Sequence, residues 1–158
     1  MDDIADKSSV VAALLGRLRR VCDTGFALAV HIRYTRPALL YQTYDREWVD
    51  HYSAKGYMLS DPTVHWGLSN VGAMDWNQLV GQDPEGIIQA AYDHGLANGW
   101  TYATGPTTSR SLGSMTKRTP FTADQRRDIC QIIDDIHAET DGFESFPPEV
   151  QDALRNLL

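Results

Sequence analysis

The chain has 158 residues, of which 21 are acidic and 14 are basic, giving a formal net charge of −7. This acidity argues against DNA binding by this chain alone, because Lys and Arg contacts to phosphates supply most non-specific affinity. No apolar run approaches the roughly 18 to 20 residues of a membrane span, and the acidic start MDDIADKSS is unlike a signal peptide. We therefore expect one cytoplasmic domain that does not bind a membrane.

The first half of the chain predicts a helix, a hairpin and two shorter helices. Apolar residues at three- and four-residue spacing indicate an amphipathic helix from residue 3 to about 23, ended by Gly25. The segments FALAVHIRY (26–34) and ALLYQTY (38–44) are rich in β-forming residues and flank a turn, as in a hairpin. Helical spacing returns over residues 45–54 and 62–68.

The second half predicts a helix over 84–97, a second hairpin from strands 100–105 and 111–118, and a long helix over 122–140. Thr122 and Gln125 have the spacing of a capping box at the start of that helix. This order indicates an α+β sandwich, in which an antiparallel sheet of at least four strands has helices on both faces. Residues 1–140 are predicted to form the domain, and 141–158 a linker with a short C-terminal helix.

Tyr44, Trp48 and Tyr52 are four residues apart and would share one face of a helix. One interpretation is that this stripe belongs to the core, since large aromatic side chains contribute much of the burial in any core. However, two hydroxyls and one indole N–H buried without partners would cost about 1 to 3 kcal/mol each. A ligand that supplies acceptors is the alternative interpretation.

Asp61 and Pro62 also allow two interpretations. Aspartate favours the N-cap and proline the first helical position, so the pair predicts a helix start. The carboxylate has two oxygens, so it can cap the helix and also accept a hydrogen bond from a ligand. His65 lies four residues beyond Asp61, but no third ligand at a suitable spacing indicates a metal site. No nucleophile and base pair or phosphate loop stands out, so we expect neither an enzyme nor a cofactor.

The ordered series Tyr44, Trp48, Tyr52, Asp61-Pro62 and Trp76, followed by Gly99, resembles the autoinducer-binding domain of LuxR-type quorum-sensing regulators. The resemblance covers residues from about 10 to 140. Domains of this family bind N-acyl homoserine lactones. The resemblance implies an α/β/α sandwich with a central antiparallel sheet and a ligand cavity between the sheet and the helices.

The resemblance also implies roles for individual side chains. The Trp48 indole N–H would donate to the lactone carbonyl, the Tyr44 hydroxyl would donate to the amide carbonyl, and Asp61 would accept from the amide N–H. Tyr52 would pack on the acyl chain and Trp76 on the lactone ring. Three small residues are expected near the head group or a chain oxo group: Thr63, Thr101 and Thr116. Two further residues are expected to be structural: Pro62 and Gly99.

The sequence departs from the family pattern at two places. After Gly99, such domains often have a proline in the strand. This sequence instead continues with Trp100 and the run TYATG. The family usually continues into a helix-turn-helix domain, whereas this sequence stops after FPPEVQDALRNLL. Two functions are therefore weighed: a lactone sensor whose ligand stabilises the fold, and a truncated homologue that dimerises with a full-length regulator and inhibits it. In either case we expect a homodimer or heterodimer.

Overall fold

The centre of the fold is an antiparallel sheet with the strand order β2-β1-β5-β4-β3. The computed structural model describes residues 2–158, with side chains from residue 7 onward. The strands are β1 (Gly25–Arg33), β2 (Arg36–Gln42), β3 (Gly72–Asp75), β4 (Trp100–Thr104) and β5 (Arg110–Thr116). The helices are α1 (Asp2–Val21), α2 (Arg46–Ala54), α3 (Pro62–Ser69), α4 (Ile87–Asp93), α5 (Ala123–Glu139) and α6 (Pro148–Arg155).

One face of the sheet, here called the core face, is covered by α1, α5 and α6. Apolar residues recur on α1 and α5 at helical spacing, and β1 and β5 present alternate side chains to them. The largest buried side chains of this layer are apolar: Leu18, Phe26, Leu28, Ile129, Ile132, Ile133 and Ile136. This layer is a continuous hydrophobic core.

The other face, here called the cavity face, is covered by α2, α3 and α4. Its buried apolar residues fall into two separate clusters, one around Trp48 and Trp76 and one around Ile32 and Leu112. Helix α3 lies close to β5, because a Cβ added at Gly67 would come within 2.1 Å of Leu112. Helices on both faces of one antiparallel sheet give the α/β/α sandwich predicted from the sequence, so the fold class is confirmed.

Both predicted hairpins are present, as β1–β2 and β4–β5, and the Thr122–Gln125 capping box begins α5 as expected. Strand β3 was not predicted, because its four residues, GAMD, are too short to show an alternating pattern. Helix α4 begins at Ile87 rather than residue 84. The Asp83 carboxylate accepts from the backbone N–H groups of Ile87 and Ile88. Gly86, which lies between Asp83 and Ile87, has a φ of 68°.

Residues 141–158 pack against the domain, in contrast to the linker predicted for 141–148. Phe143, Val150 and Leu154 are buried in the core face, and the Tyr41 hydroxyl donates to the Leu154 carbonyl at 2.7 Å. The boundary at residue 140 stays a prediction, but the segment beyond it contributes to the core through these apolar side chains.

Cys22 and Cys130 are free thiols, and burial raises the pKa of Cys22 to about 12. Across the part of the chain that the structure describes, no helix is both long and apolar enough to cross a bilayer.

Candidate functional site

A cavity of about 740 Å³ lies between the cavity face of the sheet and helices α2, α3 and α4. Its volume falls in the range of small-molecule sites, about 300–1,000 Å³. Of the eight predicted ligand contacts, the cavity lining includes six: Tyr44, Trp48, Tyr52, Asp61, Thr63 and Trp76. Residues far apart in the chain thus surround one space.

Helix α2 carries two of these rings, and a carboxylate determines where it begins. Oδ1 of Asp45 accepts from the Trp48 backbone N–H at 2.9 Å, so Asp45 is the N-cap and Arg46 the first helical residue. Tyr44 therefore precedes the helix, and the prediction of a three-ring stripe on one helical face is wrong for this residue. Tyr44 still reaches the cavity from the end of β2, and its hydroxyl donates to the Ser114 carbonyl at 3.1 Å.

Asp61 caps α3 and also faces the cavity. Its Oδ1 accepts from the backbone N–H of Thr63 at 2.9 Å and from the Thr63 hydroxyl at 2.7 Å. Its Oδ2 accepts from the Tyr52 hydroxyl at 2.7 Å. Because a carboxylate has about four acceptor positions, these three bonds leave one for a further donor. The helix cap thus uses Oδ1, Oδ2 accepts from Tyr52, and the ligand contact considered for Asp61 stays a prediction.

The two tryptophans of the cavity wall differ in their hydrogen bonding. Nε1 of Trp76 donates to the Thr101 hydroxyl at 3.1 Å. In contrast, no group within residues 7–158 accepts a hydrogen bond from Nε1 of Trp48, although its ring is largely buried. Nε1 of Trp48 keeps some accessible surface, and Trp48 lines the cavity. The Trp48 indole N–H is therefore available to a ligand acceptor.

Thr101 and Thr116 lie behind the cavity wall rather than in its lining. Both are fully buried. Besides accepting from Trp76, the Thr101 hydroxyl bonds to the Ser114 hydroxyl at 3.2 Å. The Thr116 hydroxyl donates to the Gly25 carbonyl at 3.1 Å. These hydrogen bonds indicate that Thr101 and Thr116 support the cavity wall from behind.

The two residues predicted to be structural both lie next to cavity residues. Pro62 occupies the first turn of α3, directly after the Asp61 cap. Gly99 has the Trp76 ring against it, since an added Cβ would lie 2.1 Å from two ring carbons. The absence of a side chain at Gly99 therefore allows Trp76 its position in the wall.

Burial determines the protonation of the cavity hydroxyls. Burial raises the pKa of Tyr52, and the neighbouring Asp61 charge raises it further. Burial also raises the pKa of Tyr44. Both tyrosines therefore remain protonated at neutral pH and keep their O–H groups as hydrogen-bond donors.

The C-terminal turn of α3 is held by a buried arginine that the sequence did not single out. Nη1 of Arg110 donates to the Gly67 carbonyl at 3.2 Å and also to the Asn70 carbonyl. A cation at the last carbonyls of a helix is favoured by the helix dipole. Asp61 at the start and Arg110 at the end thus fix α3 over the sheet.

The cavity floor was also missed by the sequence analysis. It consists of alternate residues of three adjacent strands: Ala27 and Ala29 on β1, Leu40 and Gln42 on β2, and Leu112 and Ser114 on β5. The period of two in these strands predicts that such residues share a face. It does not tell which face bears a cavity, because small apolar side chains occur on both.

Metal binding has no support in the geometry. Among the residues whose side chains are described, no group of three or more His, Cys, Asp or Glu residues could hold an ion. Asp61 and His65 bond to different protein groups: Oδ2 of Asp61 accepts from the Tyr52 hydroxyl, and Nε2 of His65 bonds to the Leu59 carbonyl at 2.8 Å.

Comparison with known proteins gives a family and several relatives. The model of the autoinducer binding domain matches residues 11–134. Regulatory protein SdiA of Escherichia coli is 29% identical over 107 residues, which are 66% of this chain and 42% of SdiA. Transcriptional activator protein SolR of Ralstonia nicotianae is 29% identical over 72 residues, 45% of this chain and 30% of SolR. The match thus spans less than half the length of these curated relatives.

Solved structures share the fold. SdiA in complex with octanoyl-rac-glycerol superposes with a TM-score of 0.64 at 20% identity, covering 87% of this chain and 60% of that one. The N-acylhomoserine lactone dependent LuxR family transcription factor CepR2 of Burkholderia cenocepacia gives a TM-score of 0.60 at 17% identity, covering 90% and 99%. At these identities the likeness establishes the fold alone.

The family match covers most of the chain and includes all six cavity residues predicted from the sequence. The family is defined by binding a small-molecule signal, so the expectation of a receptor rather than an enzyme or a cofactor protein is confirmed. This chain belongs to the autoinducer-binding domain family of LuxR-type quorum-sensing regulators.

Proposed function

We propose that this protein binds an N-acyl homoserine lactone as the sensor domain of a quorum-sensing regulator. The observation that carries the proposal is a pair of complementary groups in one largely buried cavity. The Trp48 indole N–H has no acceptor within residues 7–158, and the Asp61 carboxylate, only 7% exposed, has an acceptor position left. An acyl homoserine lactone offers a carbonyl to the first and an amide N–H to the second.

The remaining head-group contacts follow from the same arrangement. Trp48 donates to the lactone carbonyl and Asp61 accepts from the amide N–H, as the family resemblance implies. Tyr44 already donates to the Ser114 carbonyl at 3.1 Å, so donation to the amide carbonyl requires its hydroxyl to change partner or to share its proton. Thr63 positions Asp61 through two hydrogen bonds, and Trp76 packs on the lactone ring.

The roles of Thr101 and Thr116 are indirect in this proposal. Thr101 holds the Trp76 ring through its indole N–H, and Thr116 holds the start of β1 through the Gly25 carbonyl. Tyr52 combines two functions, because its hydroxyl orients Asp61 at 2.7 Å while its ring walls the cavity.

Two of the relatives support an acyl ligand. CepR2 is described as dependent on an N-acylhomoserine lactone, and a solved structure shows SdiA in complex with octanoyl-rac-glycerol. Both ligands combine a polar head group with an acyl chain. The polar donors and acceptors of this cavity, next to an apolar remainder, match that combination.

Ligand binding should stabilise the fold, because a ligand in the cavity would contact both the sheet and the helices that cover it. A ligand that binds only the folded state adds about 2.7 kcal/mol at one hundred times its dissociation constant. Regulation of transcription, and pairing with a second copy or with a full-length regulator, stay predictions that depend on this step.

The test is thermal and urea unfolding of the purified protein with and without acyl homoserine lactones. We expect a concentration-dependent rise in the midpoint. Trp48→Phe should reduce it, because the variant keeps a ring but loses the indole N–H, a loss of roughly 0.5–1.5 kcal/mol in binding. Trp66→Phe is the matched control, since Trp66 packs beside the cavity without lining it.

Two outcomes would contradict the proposal. If no lactone changes the midpoint of a well-folded protein, the cavity serves another signal or the chain acts through protein partners alone. If Trp48→Phe and Trp66→Phe weaken binding equally, the indole N–H of Trp48 does not contact the ligand.

A further inference from the structure

The cavity extends well beyond its polar groups. Five lining residues with polar groups are here called the polar band: Tyr44, Trp48, Tyr52, Asp61 and Ser114. From there the lining continues toward the β1–β2 turn. We call this part the apolar channel; its floor is Ala29, Ile32, Leu40 and Leu112, and its roof is Val64 and Leu68 of α3.

Strand pairing places the floor in three successive rows. The first row contains Ser114, paired with Ala27 of β1. In the second row, Ala29 pairs with Leu112 on one side and with Leu40 on the other. The third row contains Ile32, which pairs with Arg110 after a bulge. The rows therefore run from the polar band to the turn.

The length of the channel follows from the strand geometry. Ser114 and Arg110 are four residues apart on β5, which corresponds to about 14 Å at ~3.4 Å per residue. In an extended polypeptide the rise of one residue, about 3.4 Å, corresponds to three covalent bonds, so an extended carbon chain spans roughly 1.1 Å per bond. A chain of about eight to twelve carbons fits between the amide group at the polar band and the third row.

The chemistry of the channel favours a hydrocarbon. Each of the six side chains that define it contains only carbon beyond the backbone. A polar substituent placed there would lose its water without gaining a partner. At the mouth, the apolar side chains of Leu40 and Leu59 are 53% and 76% exposed, although both line the cavity. An acyl chain along the channel would cover apolar surface of this kind.

We propose that the cavity selects a long, apolar acyl chain of about eight to twelve carbons, with Ala29 as the residue that keeps the channel open. This inference rests on the proposed lactone function and names the ligand class for it. Ala29 decides the width of the channel because it lies in the second row between Leu40 and Leu112, and its small side chain leaves the path free.

The first experiment measures affinity by calorimetry for unsubstituted homoserine lactones with acyl chains of four, six, eight, ten and twelve carbons. We expect affinity to rise roughly two- to fourfold for each added methylene, since each becomes buried. The rise should continue to at least eight carbons. Strongest binding by the four- or six-carbon ligand would overturn the inference and leave the proposed function intact, whereas no binding by any lactone would overturn both.

The second experiment blocks the channel with Ala29→Leu. We expect at least a tenfold loss of affinity for the twelve-carbon ligand and less than a twofold change for the four-carbon ligand. Ala73→Leu is the matched control, because Ala73 is an exposed residue of β3 in the same sheet and does not line the cavity. Equal losses for short and long chains in Ala29→Leu would overturn the role of Ala29.

A milder variant covers the case in which Ala29→Leu does not fold. Leu40 is half exposed on the edge strand, so Leu40→Thr should leave the unfolding midpoint nearly unchanged. We expect a three- to tenfold loss for the twelve-carbon ligand alone. An unchanged chain-length profile in this variant would show that the acyl chain does not follow the channel.

Discussion

Helices cover both faces of the sheet, but the two faces differ in the side chains that they bury. On the core face, helices α1, α5 and α6 bring aliphatic side chains such as Ile132 and Ile133 into full burial. On the cavity face, α2, α3 and α4 bring rings with polar tips, among them Trp48 and Tyr52. The side chains of the core face named above are fully buried, whereas the cavity face leaves about 740 Å³ between sheet and helices.

The difference shows how one sheet can serve both stability and recognition. Aliphatic side chains have no polar atoms to satisfy, so they can close on one another completely. Aromatic side chains with hydroxyl or N–H groups need hydrogen-bond partners. A partner in the protein holds the ring in the cavity wall, and a donor without such a partner is left for a ligand.

Truncating the core face should have the largest effect on stability. Phe26 is fully buried in β1, so Phe26→Ala should lower the free energy of unfolding by about 3–5 kcal/mol, measured by urea denaturation. The additional stability from a saturating lactone should be unchanged, because Phe26 is outside the cavity lining. A cost below about 1 kcal/mol would contradict tight packing of this face.

Changing the cavity carboxylate should affect binding more than folding. Asn is as good an N-cap as Asp, so Asp61→Asn should retain α3 while weakening lactone binding by about 1.5–3 kcal/mol. Asp83→Asn is the matched control, because that carboxylate also begins a helix but does not line the cavity. Calorimetry that finds the same affinity in Asp61→Asn and the parent protein would rule out the contact with the ligand amide.

Filling the space between Gly99 and the Trp76 ring should reduce both the stability of the fold and lactone binding. Gly99→Ala forces the Trp76 ring to move, so we expect a loss of stability of about 1–3 kcal/mol and weaker lactone binding. Gly81→Ala provides the comparison, since an added Cβ there meets no atom within 4 Å. If the two variants bind and unfold alike, the position of Trp76 does not depend on Gly99.

The smallest expected effect is on the pH dependence of stability, through His137 near the end of α5. Burial, together with the stacked ring of His31 at 4.1 Å, lowers the pKa of His137, while Asp134 and Asp141 oppose the shift. The unfolded chain then binds the proton more readily, so stability should fall as the pH drops through the ordinary histidine pKa of about 6.5. His137→Gln should flatten this dependence in urea denaturation between about pH 5 and 7. Parallel curves for the two proteins would assign the dependence to other groups.

The sequence was sufficient for elements whose pattern is local. The capping box of α5 and both hairpins were predicted because each depends on residues within a few positions of one another. The helix start at Asp61 and Pro62 was predicted for the same reason. The position of Tyr44 was mispredicted, because Asp45 caps α2 and competes with the continuation of the helix toward the N-terminus.

The sequence by itself determined the layered fold through periodicity and, through the resemblance carried by the order of its aromatic and acidic residues, six of the residues that line the cavity. Only the tertiary structure decided how their hydrogen bonds are distributed: Trp76 bonds to Thr101, Tyr44 bonds to Ser114, and Trp48 keeps a free N–H. Those partners lie 25 and 70 positions apart along the chain. Contacts at such separations depend on strand register and helix packing, which no local pattern specifies.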